Sequence, residues 1–208
     1  MLDNSVSSFL EKAASRSPAP GGGCVAALAG ALGASMASMS ASFTIGKKGY
    51  ESASEEAGDI LSASASAVKK LSALAEADIA SYEKVSAAYK LPAGTDELEK
   101  EKQAEIRESL LEAMRVPFET AGHCLDIMKR LVRLAEIGNK NLISDVGVAA
   151  YLLSAAVKSA ALNVEINLKA LADEDLTAEK RGALNRWIEE SRNILKQVEP
   201  MVRKGISG

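Results

Sequence analysis

Residues 17–51, SPAPGGGCVAALAGALGASMASMSASFTIGKKGYE, decide how the rest of this chain is read. No charged side chain occurs between Arg16 and Lys47. The run is long enough to cross a bilayer, which takes about 20 apolar residues. Its composition argues against that role. Ser35, Ser38, Ser40 and Ser42 interrupt it, large aliphatic side chains are few, and no second span is found to accompany it. Ala26, Gly30, Gly33 and Ala37 recur at three- and four-residue spacing, which lets a neighbouring backbone approach closely. A helix that is small and apolar all round is one surrounded by other helices. The segment is therefore predicted as a buried central helix over about residues 22–43.

Composition agrees with a helical protein. Of 208 residues, 47% are hydrophobic but only 4% aromatic, so the core must use small and aliphatic side chains. Sheets draw on β-branched and aromatic residues, whereas helices can close up over alanine and glycine. The net charge of −3, with both signs interspersed, leaves no basic stripe for a phosphate backbone and excludes nucleic acid as a partner. Cys24 and Cys124 lie far apart and His123 is the single histidine, so no transition-metal cage is expected. The N-terminus carries acidic residues where a signal peptide has a basic region and an apolar run. A cytoplasmic protein with reduced thiols, not associated with a membrane, is expected.

The remaining pattern is helical throughout. Asn4 or Ser5 caps a first helix with Val6, Phe9, Leu10 and Ala13 on one face, which Pro18 and Pro20 end. Residues 46–50, GKKGY, form a turn, and residues 51–90 a long amphipathic helix. After the loop at 91–97, capped by Thr95 or Asp96, a helix runs to about Ile137 with Pro117 as a kink or break. GNKN (138–141) turns the chain, Ser144 or Asp145 opens a helix through Leu171, and Thr177 opens the last. With no strand and no repeat, residues 1–208 are predicted as one all-α domain, a bundle of about six helices.

Gly21, Gly22 and Gly23 at the entrance of the central helix have two readings. Uncovered N–H groups backed by the helix dipole can hold an anion or a developing oxyanion. Equally, the glycines can simply permit a tight turn under a crowded neighbour.

Five fragments, in order, carry a resemblance: SPAPGGGCVAALAGALGASM, TIGKKGYE, Asp78 with AAYKLP (87–92), GNKNLISDVGVAA and ALNVEINL. Over about residues 5–172 the chain resembles the cyclodeaminase/cyclohydrolase family, which includes the cyclodeaminase domain of formiminotransferase-cyclodeaminase and stand-alone methenyltetrahydrofolate cyclohydrolases. The resemblance implies a homodimeric, all-helical, cofactor-independent enzyme acting on a one-carbon tetrahydrofolate. One activity hydrates 5,10-methenyltetrahydrofolate to 10-formyltetrahydrofolate. The other expels ammonia from 5-formiminotetrahydrofolate, as a lyase. The absence of a formiminotransferase domain from this sequence favours the hydrolase. A non-catalytic folate-binding helical dimer is the alternative of another class.

Either reaction needs proton transfer around a tetrahedral carbon, for which carboxylates and lysines suffice. Asp78 aligns with an aspartate of the family motif and shares a helical face with Tyr82, Val85 and Tyr89. Asp78, Lys47, Lys48 and Asp145 are the catalytic candidates. For substrate binding the candidates are Gly21, Gly22, Gly23, Tyr82, Tyr89, Lys90, Asn139, Asn141, Asn163 and Asn167. Asp145 is open to a second reading as a helix cap, and the lysine pair to one as a solvated turn. Asp145 and Asn163 lie about five turns apart on one face, roughly 27 Å at ~1.5 Å per residue. They bind opposite ends of an extended ligand, or an antiparallel dimer brings them together from different chains; the second is favoured. His123 and Cys124, adjacent on a helix, diverge by about 100° and are read as packing or surface residues. Cys24 is read as a small lining residue.

Overall fold

A computed structural model describes residues 5–207. These residues form six helices and contain no strand: α1 Val6–Ala14, α2 Gly22–Ser42, α3 Ser54–Ala88, α4 Asp96–Ile137, α5 Ile143–Leu171 and α6 Glu174–Ser207. Single 3-10 turns precede α3 and α5, at Glu51–Ala53 and Lys140–Leu142. The all-α architecture and the central place of α2 follow the sequence expectation: α2 packs against α3, α4 and α5.

Small side chains are what place α2 there. Cys24, Ala27, Ala31, Ala34, Ala37 and Ala41 bury one face of it against Leu71, Leu125, Leu131, Leu153 and Val157. A Cβ on Gly33 would lie 2.8 Å from Leu153 Cγ and 3.2 Å from the Leu153 backbone nitrogen. Since ordinary contacts are about 3.5–4.0 Å, the two helices are closer than any side chain at Gly33 allows. The same contacts give direction: Gly22 meets Asn163 and Gly33 meets Leu153, so α2 and α5 run antiparallel.

Two expectations about α2 are corrected. It is not covered all round, since Val25 is 45% and Leu32 52% exposed. Nor is it alone in length, because both Gly22–Ser42 and Lys140–Leu171 are long and apolar enough to cross a membrane. In the fold about half of each span, 56% and 50%, is buried against other helices. The apolar length thus serves interhelical packing.

The caps refine the boundaries. Ser5 accepts the Ser8 N–H at 3.2 Å, settling the start of α1; Asn4 lies outside the described residues. Thr95 rather than Asp96 caps α4, accepting the Leu98 N–H at 3.3 Å. α5 begins at Ile143, with Leu142 at the cap and no side-chain cap bond, so Asp145 stands in the first turn instead of capping it. α6 begins three residues before Thr177, where Asp173 accepts the Leu176 N–H at 3.0 Å. α4 passes through Pro117 unbroken. One missing N–H is tolerated where buried residues such as Val116 and Thr120 hold the helix on both sides. The apolar face of α1 finds little cover, for Val6 is 76% and Leu10 59% exposed while Phe9 alone packs against the core.

Candidate active site

The glycine-rich start of α2 forms one wall of a cleft of about 320 Å³. Pro18, Ala19, Gly21, Gly22 and Gly23 face Asp78, Ile79, Ser81, Tyr82 and Val85 of α3, with Ala113 of α4 and Asn163, Ile166 and Asn167 of α5. Its size is in the range of small-molecule sites, and its lining is apolar with a few converging polar groups.

Among the described residues Asp78 is the only carboxylate in that lining. Its Oδ2 accepts the Cys24 N–H at 2.8 Å, so an acid on α3 supplies the N-terminal cap that Gly21 cannot. The helix end does attract a negative group, and that group is the protein's own carboxylate. Gly23 makes the contact possible, because a Cβ there would collide with the Asp78 carboxylate. Gly22 is less constrained: a Cβ on it would meet the Asn163 amide at 3.3 Å. Burial raises the Asp78 carboxyl above its ordinary value, while the Cys24 N–H pulls in the other direction.

The two amides across the cleft are oriented by backbone. Asn163 Nδ2 donates to the Ser159 carbonyl at 2.8 Å, and Asn167 Nδ2 donates to the carbonyls of Ala113 and Asn163, both at 2.9 Å. Carbonyl partners fix which end of each amide carries hydrogen. Asn167 thus gives both amide hydrogens to main chain and Asn163 one, and both side-chain oxygens remain as acceptors.

Gly21, Gly22, Gly23, Asp78, Tyr82, Asn163 and Asn167 are thus brought together as expected. Tyr89 departs from the pattern: it sits at the C-terminal cap of α3, 50% exposed and outside the cleft. Lys90 is exposed just beyond the helix. Lys47, Lys48, Asn139, Asn141 and Asp145 do not join Asp78 within the chain. They gather at the opposite end of α2, where Lys47 Nζ donates to Asn139 Oδ1 at 2.8 Å. Asn139 is 6% exposed and committed to protein partners, which leaves it little surface for a substrate.

Cys24 also changes role. Its side chain is fully buried, and burial, then Asp78 and Glu76, push its thiol up to about 11. The backbone amide is the part that serves the site. Cys124 is buried beneath Gly30, with its thiol raised to about 12 by burial. His123 instead borders a groove between α3 and α4 with Lys70, Asp126 and Arg130. Ile166 and Pro18 were not singled out from sequence. The signal for Ile166 is its position between Asn163 and Asn167 on the cleft side of α5; Pro18 has no comparable signal.

Comparison with known proteins follows the same outline. The formiminotransferase-cyclodeaminase family model matches residues 5–186. A methenyltetrahydrofolate cyclohydrolase of Methylorubrum extorquens is 34% identical over 205 residues, 99% of either chain. The formimidoyltransferase-cyclodeaminase of Rattus norvegicus is 32% identical over 92% of this chain, which spans 36% of that protein. A crystal structure of formiminotetrahydrofolate cyclodeaminase from Thermotoga maritima superposes with a TM-score of 0.88 at 35% identity, covering 100% of this chain and 99% of the other. With the glycine entrance, the capping aspartate and the paired asparagines in one cleft, this chain belongs to the formiminotransferase-cyclodeaminase family.

Proposed function

We propose that this chain is a folate one-carbon enzyme, a methenyltetrahydrofolate cyclohydrolase in which Asp78 moves the protons. The observation that carries this reading is the Asp78 carboxylate, half-buried at the α2 entrance with two amide oxygens across a substrate-sized cleft. The full-length likeness to a cyclohydrolase supports it.

The methenyl bridge of the substrate is an amidinium, with one positive charge spread over N5, the bridging carbon and N10. An ionised Asp78 balances that charge and takes a proton from water attacking the carbon. The resulting carbinolamine needs a proton on N5 as the C–N5 bond breaks, and Asp78 returns the one it holds. The remaining C–OH becomes the N10-formyl carbonyl by releasing its proton to solvent. Cation plus water gives neutral product plus one proton, and Asp78 ends as a carboxylate. A carboxyl lifted by burial towards the working pH suits both halves of this shuttle. No metal or organic cofactor is needed.

The functional protein is a homodimer in this reading, acting in the cytoplasm. Val25 and Leu32 on α2, and Val148, Leu162 and Ile166 on α5, are exposed apolar side chains on neighbouring antiparallel helices. Val148, Leu152, Ala155, Ser159, Leu162 and Ile166 follow the alternating three- and four-residue spacing of a helix-pairing seam. An isologous contact across this face joins the Asp78 end of one chain to the Lys47 end of the other.

The second reading is formiminotetrahydrofolate cyclodeaminase, favoured by the Thermotoga maritima likeness over the whole chain. Methenyltetrahydrofolate absorbance separates the two. Enzyme-dependent loss above the spontaneous rate is expected; its appearance from formiminotetrahydrofolate, without such loss, would establish the deaminase instead.

A further inference from the structure

The far end of α2 holds a tightly bonded polar group that the proton shuttle does not use. Thr44 donates its hydroxyl proton to the Ser40 carbonyl at 2.8 Å and accepts the Asn139 N–H at 2.9 Å. Asn139 Nδ2 donates to the Phe43 carbonyl at 3.1 Å, and Oδ1 accepts both the Asn141 N–H at 3.1 Å and Lys47 Nζ at 2.8 Å. The Tyr50 ring lies 5.6 Å from Nζ, and its hydroxyl accepts the Lys140 N–H at 3.1 Å. Two turns distant in sequence, 43–50 and 138–141, are thereby locked together around one ammonium.

That ammonium is held but not neutralised. Among the described residues, Lys47 has no carboxylate within ion-pair distance, and its hydrogen-bond acceptor is an uncharged amide. Lys140, by contrast, spends its charge on the Ala135 and Glu136 carbonyls at the end of α4, both at 2.8 Å. Lys48 is exposed and takes no part in the lock. A long flexible side chain fixed by a neutral, nearly buried partner is arranged to receive an anion from outside.

We infer that Lys47 receives a carboxylate of the folate's glutamyl group, and that Asn139 is a positioning residue acting through Lys47. This rests on the folate and dimer readings. The 21 residues of α2 span about 31 Å at ~1.5 Å each, so a ligand at Gly22 cannot reach Lys47 of its own chain. The carboxylate that Lys47 meets belongs to a folate seated in the cleft of a second copy.

The test is a double-mutant cycle on steady-state kinetics with methenyltetrahydrofolate and with its pteroate analogue, which lacks the glutamyl group. Lys47→Ala is expected to raise KM about 10-fold or more, the size of a charge-assisted hydrogen bond, with kcat changed less than about 3-fold. Asn139→Ala should raise KM several-fold, and the double variant should be no worse than Lys47→Ala alone. Lys47→Arg should recover most of the loss, and on the pteroate analogue every variant should match the wild type. Multiplying KM effects, a KM effect that persists on the analogue, or an Asn139→Ala protein with lowered Tm and unchanged KM would each overturn the inference.

Mixing Lys47→Ala chains with Asp78→Asn chains tests the placement across copies. Hybrids should contain one site of wild-type KM, because the intact Asp78 and the intact Lys47 then meet. Dimers by sedimentation that never show this low-KM site would overturn the inference. A monomeric protein would instead overturn the dimer reading, and a wild type without turnover the folate reading.

Discussion

The two ends of α2 are built from the same materials to opposite effect. At Gly22, a carboxylate and two amide oxygens face an open cleft with hydrogen-bonding capacity to spare. At Phe43, Asn139, Thr44 and Tyr50 use theirs on one another and on main chain, holding the Lys47 ammonium in place. One end is a place for chemistry and the other a fixed point. The difference comes from which groups the backbone has already claimed.

The largest effect should come from removing the acid. Asp78→Asn is expected to lower kcat/KM by about 10²–10⁴, the range for positioned acid–base groups, when methenyltetrahydrofolate loss is followed. It should also separate activity from stability. A carboxyl whose value is raised on folding contributes unfavourably once pH exceeds the unfolded value, most fully above the folded one. The Asn variant should therefore melt above the wild type at neutral pH, with the gap closing as pH falls below the ordinary carboxylate range. A lower Tm at neutral pH would mean that the ionised cap stabilises α2 more than burial opposes it.

Next in size is the contrast within the glycine run. Gly23→Ala must push Asp78 off the Cys24 amide, so activity should fall about 10²-fold or more when methenyltetrahydrofolate loss is followed. Gly22→Ala need move the Asn163 amide by only a few tenths of an ångström, and activity should stay within several-fold. Equal losses in the two variants would remove the special role of Gly23.

Gly33→Ala probes the middle of α2, away from both ends. Overpacking against Leu153 should cost about 1–3 kcal/mol in chemical denaturation, while KM is retained in the folded protein. The smallest effect belongs to α1. Leu10→Ser should shift chain stability by no more than about 0.5 kcal/mol, because that side chain is largely exposed.

The sequence conveyed the fold well because helical signals are local: apolar periodicity, Thr95 as a cap and the small-residue face of α2 can all be read within a few turns. It conveyed the site by half. Asp78, Tyr82, Asn163 and Asn167 share helical faces and were legible as sets. That Lys47 and Asp145 belong to the other end follows only from α2 and α5 being continuous and antiparallel. The role of Gly23 was hidden for a related reason: it depends on a carboxylate 55 residues later in the chain, which no local spacing reports. Asn139 misled because a polar residue in a turn looks available until its hydrogen-bond partners are known.

The unbroken course of α2 has a consequence of its own, for the helix is a gauge. Both ends are anchored to a single rigid rod of 21 residues, so their separation and relative rotation are set by residue count. One inserted residue would advance the Lys47 end by ~1.5 Å and turn it by about 100° relative to Asp78. A point change can alter either end alone, but only a change of length can alter the distance and angle between them.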